Sequence, residues 1–418
     1  MKKLLRSIGP AIIVAAVVLG PGSILTSSKV GATYGYPAVL AVIGATILMI
    51  SMVALSARVG VIHEKTPCGE LAGRLGRPVA VFIGVILFTL VAFFQSSNNV
   101  AVVGGLEPLF GLGGDGSYVM GTGMRIGLVI VVNAIVIAAL YLSRNLYGTV
   151  ERFMKILIGI MVIAFVINFA VITFAPRGYE PVENEATPDL FALLGMIGTT
   201  FSVGGAFYQA YLVRERGWGL ADARKGLFDS VVSISVLGLV TAIILMTATR
   251  VFHGNPNPVV LDSVGKVAMQ LKPTFGPMAT VIFACGILAG AFSSILVNAM
   301  IGGTVLSDSL GKGSKLSEKW PIHLTTVALI VGALVAIAAF LKENSTVHLI
   351  TLAQACTVIG LPVLAAALIY LGTRKELTGE RKVPRWILTM AIIGFIVACG
   401  LAYRLSTIVH GRLFPEAG

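Results

Sequence analysis

Acidic side chains are scarce in this sequence. Its 418 residues hold 19 Asp and Glu against 31 Lys and Arg. No long apolar run carries an acid at its middle. Glu64, Glu151, Asp189, Glu215 and Asp308 stand toward run ends or between runs, and Asp229 is the deepest. A bare divalent ion in a low dielectric needs anionic ligands, so this distribution argues against a dedicated metal cage. Cysteine is rarer still. Cys68, Cys285, Cys356 and Cys399 are the only four, and no two have zinc-ligand spacing. Isolated thiols of this kind act as small apolar residues. The five histidines, His63, His253, His323, His348 and His410, are scattered at run ends and in loops. No metal site and no cofactor is expected. No run leads into a glycine-rich loop ending in Gly-Lys-Ser/Thr, which excludes the usual nucleotide-driven pump. The chain is not expected to be an enzyme.

Charge as a whole is also low. Charged residues make up 12% of the chain and hydrophobic ones 56%, where a soluble domain carries about 25% charged residues. No soluble core absorbs that much apolar sequence. The chain reads as an all-α polytopic membrane protein, with the lipid bilayer as its first partner. Eleven runs approach or exceed the length of a helical span, near 9–36, 37–62, 78–110, 123–142, 149–175, 189–213, 220–251, 275–307, 321–341, 346–373 and 385–409. The first run continues through a Gly-Pro-Gly break without a short, cut-off core, so no cleavable signal peptide is expected. The net charge of +12 is not a nucleic-acid signal. Most Lys and Arg fall on the side of the N-terminus, which the positive-inside rule places in the cytoplasm. An odd span count then leaves the C-terminus outside. The expected location is the plasma (inner) membrane.

Gly20-Pro21-Gly22-Ser23 interrupts the first run, where glycine and proline are poor helix formers. Unwound backbone inside a membrane is tolerated only where it is buried in protein or lines a cavity. The sixth run repeats the anomaly at Ser202-Val203-Gly204-Gly205. The two runs are five apart, so they cross in opposite directions. That pattern predicts two five-helix repeats of inverted topology, 1–175 and 189–373, with 385–409 appended, all in one transmembrane domain. Paired broken helices mark the substrate site of secondary transporters.

Leu19-Gly20-Pro21-Gly22-Ser23, with Gly31-Ala32-Thr33-Tyr34-Gly35-Tyr36, resembles helix 1 of the Nramp family of divalent-metal transporters. Leu55-Ser56-Ala57-Arg58-Val59-Gly60 resembles the end of that family's helix 2. Ser293-Ser294 after Gly290-Ala291-Phe292 is similar to its helix 8, and Leu361-Pro362 to its helix 10. The resemblance implies eleven transmembrane helices in a LeuT-like 5+5 inverted repeat, with helices 1 and 6 broken at the midplane, working by alternating access. The family carries Asp-Pro-Gly-Asn where this chain has Gly20-Pro21-Gly22-Ser23. It carries Met-Pro-His where this chain has Ser202-Val203-Gly204. The acids of its helix 3 are replaced by Gln95-Ser96-Ser97-Asn98-Asn99.

Two helix N-termini at the breaks would present free N–H groups and positive dipole ends, a ready anion site. Gly22, Gly204 and Gly205 would let an anion approach the backbone, and Ser23 and Ser202 would add hydroxyls. The expectation is therefore an Nramp-related transporter of a small inorganic anion, bicarbonate first. A coupled proton or sodium ion is left open. The expected substrate residues are Gly20, Pro21, Gly22, Ser23, Thr199, Ser202, Gly204 and Gly205. Lys29, Gln95, Asn99, Gln209 and Gln354 are expected to line the cavity or take part in coupling. One alternative is a divalent-metal transporter for Mg²⁺ or Mn²⁺ held as a hydrated ion. Another is an amino-acid or carboxylate transporter, which lacks a mid-depth acid for the ammonium group.

Overall fold

A computed structural model describes residues 9–110, 120–142, 165–174, 179–182, 189–342 and 346–413, with single positions 156, 159 and 163. Helices account for nearly all of it. The first apolar run forms α1 (Ala11–Val18) and α2 (Pro21–Tyr34), bent by 55° at the break. There follow α3 (Val39–Ile62), a short surface helix α4 (Pro67–Leu75), α5 (Arg77–Phe110), α6 (Thr122–Leu142) and α7 (Phe165–Phe174). The second half holds α8 (Leu190–Thr200), α9 (Val203–Glu215), α10 (Ala223–Phe252), α11 (Ala279–Ser309) and α12 (Lys319–Phe340). It ends with α13 (Thr346–Cys356), α14 (Leu361–Gly372) and α15 (Arg385–Leu413).

Among the described residues, nine helices are long and apolar enough to cross a membrane, or ten counting the bent pair. The expected run at 149–175 lies outside the described residues except for α7 and three single positions, so a count of eleven is not reached here. The other ten expected runs each coincide with a helix or a pair of helices.

The broken helices occupy the interior. The span Leu190–Glu215, made of α8 and α9, has the largest buried share, 78% of its apolar window, against 22% for the last span. α1 packs on α10, α11 and α9, while α2 packs on α10 and α8. α5, α11 and α12 form a second mutually packed group. Close approach depends on small residues. At Gly60 of α3 an added Cβ would lie 2.5 Å from the Ala210 carbonyl oxygen of α9, so no larger residue fits. Ser56, one turn earlier, donates to the Phe207 carbonyl and accepts from the Ala210 N–H. These contacts lock α3 to α9 a turn or two past the second break.

Candidate functional site at the two helix breaks

The first break follows from one missing proton. In a continuous helix the Val17 carbonyl would accept from the N–H of residue 21, and Pro21 has none. The chain instead turns extended at Gly20 (φ −71°, ψ 175°), and Pro21 opens α2 at the position where proline is tolerated. The Ser294 hydroxyl of α11 donates to the orphaned Val17 carbonyl at 3.3 Å. It lies where a Gly20 Cβ would stand, 2.6 Å away.

The second break sits earlier than the glycines suggest. Phe201 and Ser202 leave helical geometry, and the Val203 N–H closes an inverse γ-turn onto the Phe201 carbonyl at 3.0 Å. Gly204 and Gly205 lie in the first turn of α9. Ser202 is the N-cap, but its side chain makes no capping bond.

Side chains crowd the glycines of the breaks. A Cβ at Gly22 would fall on the Gln354 amide of α13, and one at Gly204 would lie 2.9 Å from Leu87. A Cβ at Gly205 would lie 3.2 Å from Val14. A Cβ at any of the three would meet one of these side chains. The dipole argument is also two-sided. The breaks bring the C-terminal carbonyl ends of α1 and α8 as near as the N-terminal ends of α2 and α9. Partial charges of both signs are present, so the geometry does not select an anion.

Oxygen atoms with unused capacity collect at the first break. Ser23 is 2% exposed, and its hydroxyl has no partner among the described residues. Gln354, which rests on Gly22, donates Nε2–H to Ser97 Oγ at 2.8 Å while its carbonyl oxygen is unpartnered. Buried polar atoms are normally satisfied, so these two oxygens mark a place for a polar guest. Thr199 is tied down instead, donating to the Met196 carbonyl of its own helix at 3.0 Å. By the second break, Ser202, Gly204, Gly205, Asn298 and Thr357 line a cavity of about 10 Å³, room for about one water.

The remaining expected residues separate into three fates. Lys29 is held by Asp189 at 2.9 Å, at the N-cap of α8, and so has a structural ion pair. Burial works to raise the Asp189 carboxyl, but hydrogen bonds from Lys29 and the Ala192 N–H hold it below its usual range. Gln95 and Asn99 join helices. Gln95 donates to the Ile295 carbonyl of α11 at 2.8 Å, and Asn133 of α6 donates to Asn99 at 2.6 Å. Gln209 is fully buried, and neither amide atom has a partner among the described residues.

Three polar contacts escaped the sequence reading, which names Asp229 and Asp308 as acids but not what they bind. Arg125 of α6 pairs with Glu107 of α5 at 2.7 Å, both buried. Asp229 accepts from the Gly9 and Ala11 N–H groups at 2.7 and 2.8 Å. Asp308 accepts from Tyr211 and Thr66, both at 2.7 Å. Each joins segments distant in sequence, so local pattern carries no sign of it. The antiparallel register of α5 and α6 would have offered one: 107 with 125 and 99 with 133 have equal sums. A cavity of about 420 Å³ opens beside the last cluster, lined by His63, Thr66, Tyr211, Arg214 and Trp218 among others. Among the described residues no three His, Cys, Asp or Glu stand close enough to hold a metal ion.

The natural resistance-associated macrophage protein-like (Nramp) family profile matches residues 11–407. The chain belongs to the Nramp family. It is similar to the divalent metal cation transporter MntH of Xanthomonas campestris pv. campestris, 22% identical over 96% of this chain and 90% of that protein. It is similar to the MntH of Acidiphilium cryptum, 25% identical over 98% of this chain and 92% of that protein. Its fold matches a manganese transporter of Eremococcus coleocola with a TM-score of 0.77, at 19% identity, covering all of this chain and 89% of that one. A more distant match is Mhp1, a nucleobase-cation-symport-1 family transporter, with a TM-score of 0.55 at 14% identity, covering 97% of this chain and 93% of that one. This Nramp protein is therefore an integral membrane transporter of LeuT-like fold and not an enzyme.

Proposed function

We propose that this Nramp protein is a secondary transporter of a divalent metal cation, Mg²⁺ or Mn²⁺, carried with much of its water shell by alternating access. The expectation of a small anion, with bicarbonate first, is overturned. Relatives along nearly the whole chain are named divalent metal cation transporters, and the breaks offer carbonyl ends as readily as N–H groups.

The observation that carries the reading is the pair of unpartnered oxygens beside the first break, Ser23 Oγ and Gln354 Oε1. They stand with no carboxylate, imidazole or thioether among the residues that replace the family motif. Neutral oxygens compensate a bare dication poorly. They suit the outer face of a hydrated one, because Mg²⁺ gives up water reluctantly and Mn²⁺ also favours six oxygens. Softer transition metals gain nothing here, since Gly20, Ser23 and Ser202 stand at the Asp, Asn and Met positions. The proposed site is Gly20 to Ser23 with Gln354, and Ser202 at its second wall. The 1–175 and 189–373 segments act as inverted repeats that rock about it, with 385–409 appended. The lysine and arginine distribution supports a cytoplasmic N-terminus.

Purified protein in liposomes, loaded with dyes for Mg²⁺ and Mn²⁺, tests the cargo. Saturable uptake of either ion, reduced in Gln354→Ala, is the expected outcome. Uptake of neither ion by a folded protein overturns the proposal.

A further inference from the structure

Between the breaks and the larger cavity lies a group that no role yet accounts for. Gln209 sits on α9, seven residues past Ser202, or about 10 Å along the helix at 1.5 Å per residue. Two residues further, Tyr211 lines the 420 Å³ cavity. The other faces of α9 are occupied. Phe207 and Ala210 are bonded to Ser56 of α3. Tyr208 and Tyr211 stack with ring centroids 5.9 Å apart, and Tyr211 reaches Asp308 of α11. Gln209 lies one turn beyond Gly205, whose missing Cβ faces Val14 of α1. Helical spacing therefore puts Gln209 on the α1 side. α1 offers only apolar side chains there: Ile13, Val14 and Val17.

A primary amide has two donors and two acceptor sites. Gln209 is 0% exposed and uses none of them among the described residues. A structural amide in an apolar seam would be expected to join helices, as Gln95 does. An unused one facing the half-helix that leads into the first break is placed for something that passes.

We infer that Gln209 is a relay for the cation between the breaks and the 420 Å³ cavity, its carbonyl oxygen taking the ion or its water shell as α1 swings away. This rests on the cation reading above. The relay acts on passage and not on binding at the breaks, so the two are separable by kinetics.

The test is Mg²⁺ and Mn²⁺ uptake by Gln209→Met and Gln209→Glu in liposomes, beside the parent. Gln209→Met keeps shape and removes the amide. Its maximal rate should fall about tenfold, the worth of one hydrogen bond to a charged species, with KM unchanged. Its melting temperature should rise, because an unpaired buried amide is gone. Gln209→Glu keeps an oxygen in place and should transport faster than Gln209→Met. Parent-like rates in Gln209→Met overturn the relay while leaving the cation reading standing. A Gln209→Glu variant as slow as Gln209→Met overturns it too. If Gln209→Met does not fold, a Gln209→Glu maximal rate at least tenfold below the parent's overturns it instead. A folded parent that moves neither ion overturns the cation reading and the relay together.

Discussion

Lys29 shows how far a single residue can be read from sequence. A lone charge in an apolar run is either functional or snorkelling. Its partner, Asp189, caps the start of another span, and the pairing is visible only in three dimensions. Asp189 also caps α8 through the Ala192 N–H, so one carboxylate fixes both broken spans at this end. Its folded pKa lies below the usual value of 3.8, although burial opposes the shift. A lowered carboxylate pKa stabilises the fold above the usual value, and that stabilisation is lost as pH falls through the lowered value. Lys29→Met should cost about 0.5–1 kcal/mol at neutral pH, since both partners are partly exposed. Melting curves of parent and variant should converge once the pH drops below the normal carboxylate range. A gap that persists in acid would mean the lysine acts through packing of its stem.

At the scale of elements, the first break was legible to the residue and the second was not. Pro21 removes a specific donor, so its effect is fixed by covalent structure. Gly204 and Gly205 merely permit a break, and the inverse γ-turn formed at Phe201 and Ser202 instead. Ten of the eleven expected runs matched helices for the same reason that hydropathy works at all: unpaired backbone is excluded from lipid. The anion expectation weighs the missing acids and the N-terminal ends of the half-helices but leaves out their carbonyl ends. Pro21→Ala should restore the donor to the Val17 carbonyl and favour a straighter first span. Its melting temperature should rise while cation uptake falls, because the straightened helix closes over Ser23. A variant that is both more stable and fully active would show that the 55° bend does not depend on this proline.

For the whole molecule, the contacts of Asp229 and Asp308 gather at the end where α1 begins, while the Arg125–Glu107 pair joins α5 to α6 elsewhere. Asp229 clamps the start of α1 by the Gly9 and Ala11 N–H groups, and Trp218 packs over Gly9. Arg214 of α9 donates to the carbonyls of Gly60 and His63 at 3.2 and 3.0 Å, binding the ends of α9 and α3. Tyr211 and Thr66 meet on Asp308. The cavity at the second break is only about 10 Å³, while the 420 Å³ cavity opens beside these clamps. On the proposed function, passage to that cavity needs α1 to release. Asp229 is the only one of these clamps that grips α1 by its backbone. A carboxylate accepts both N–H groups, whereas an Asn amide accepts one and turns a donor toward the other. Asp229→Asn should thus lose one charge-assisted bond, about 1.5–3 kcal/mol. Amide hydrogen exchange at Gly9 and Ala11 should accelerate about tenfold or more, with little change in the α3–α9 seam, where Ser56 keeps its bonds. Equal acceleration across α3 and α9 would mean that the variant loosens the whole bundle and that Asp229 is no selective latch on α1.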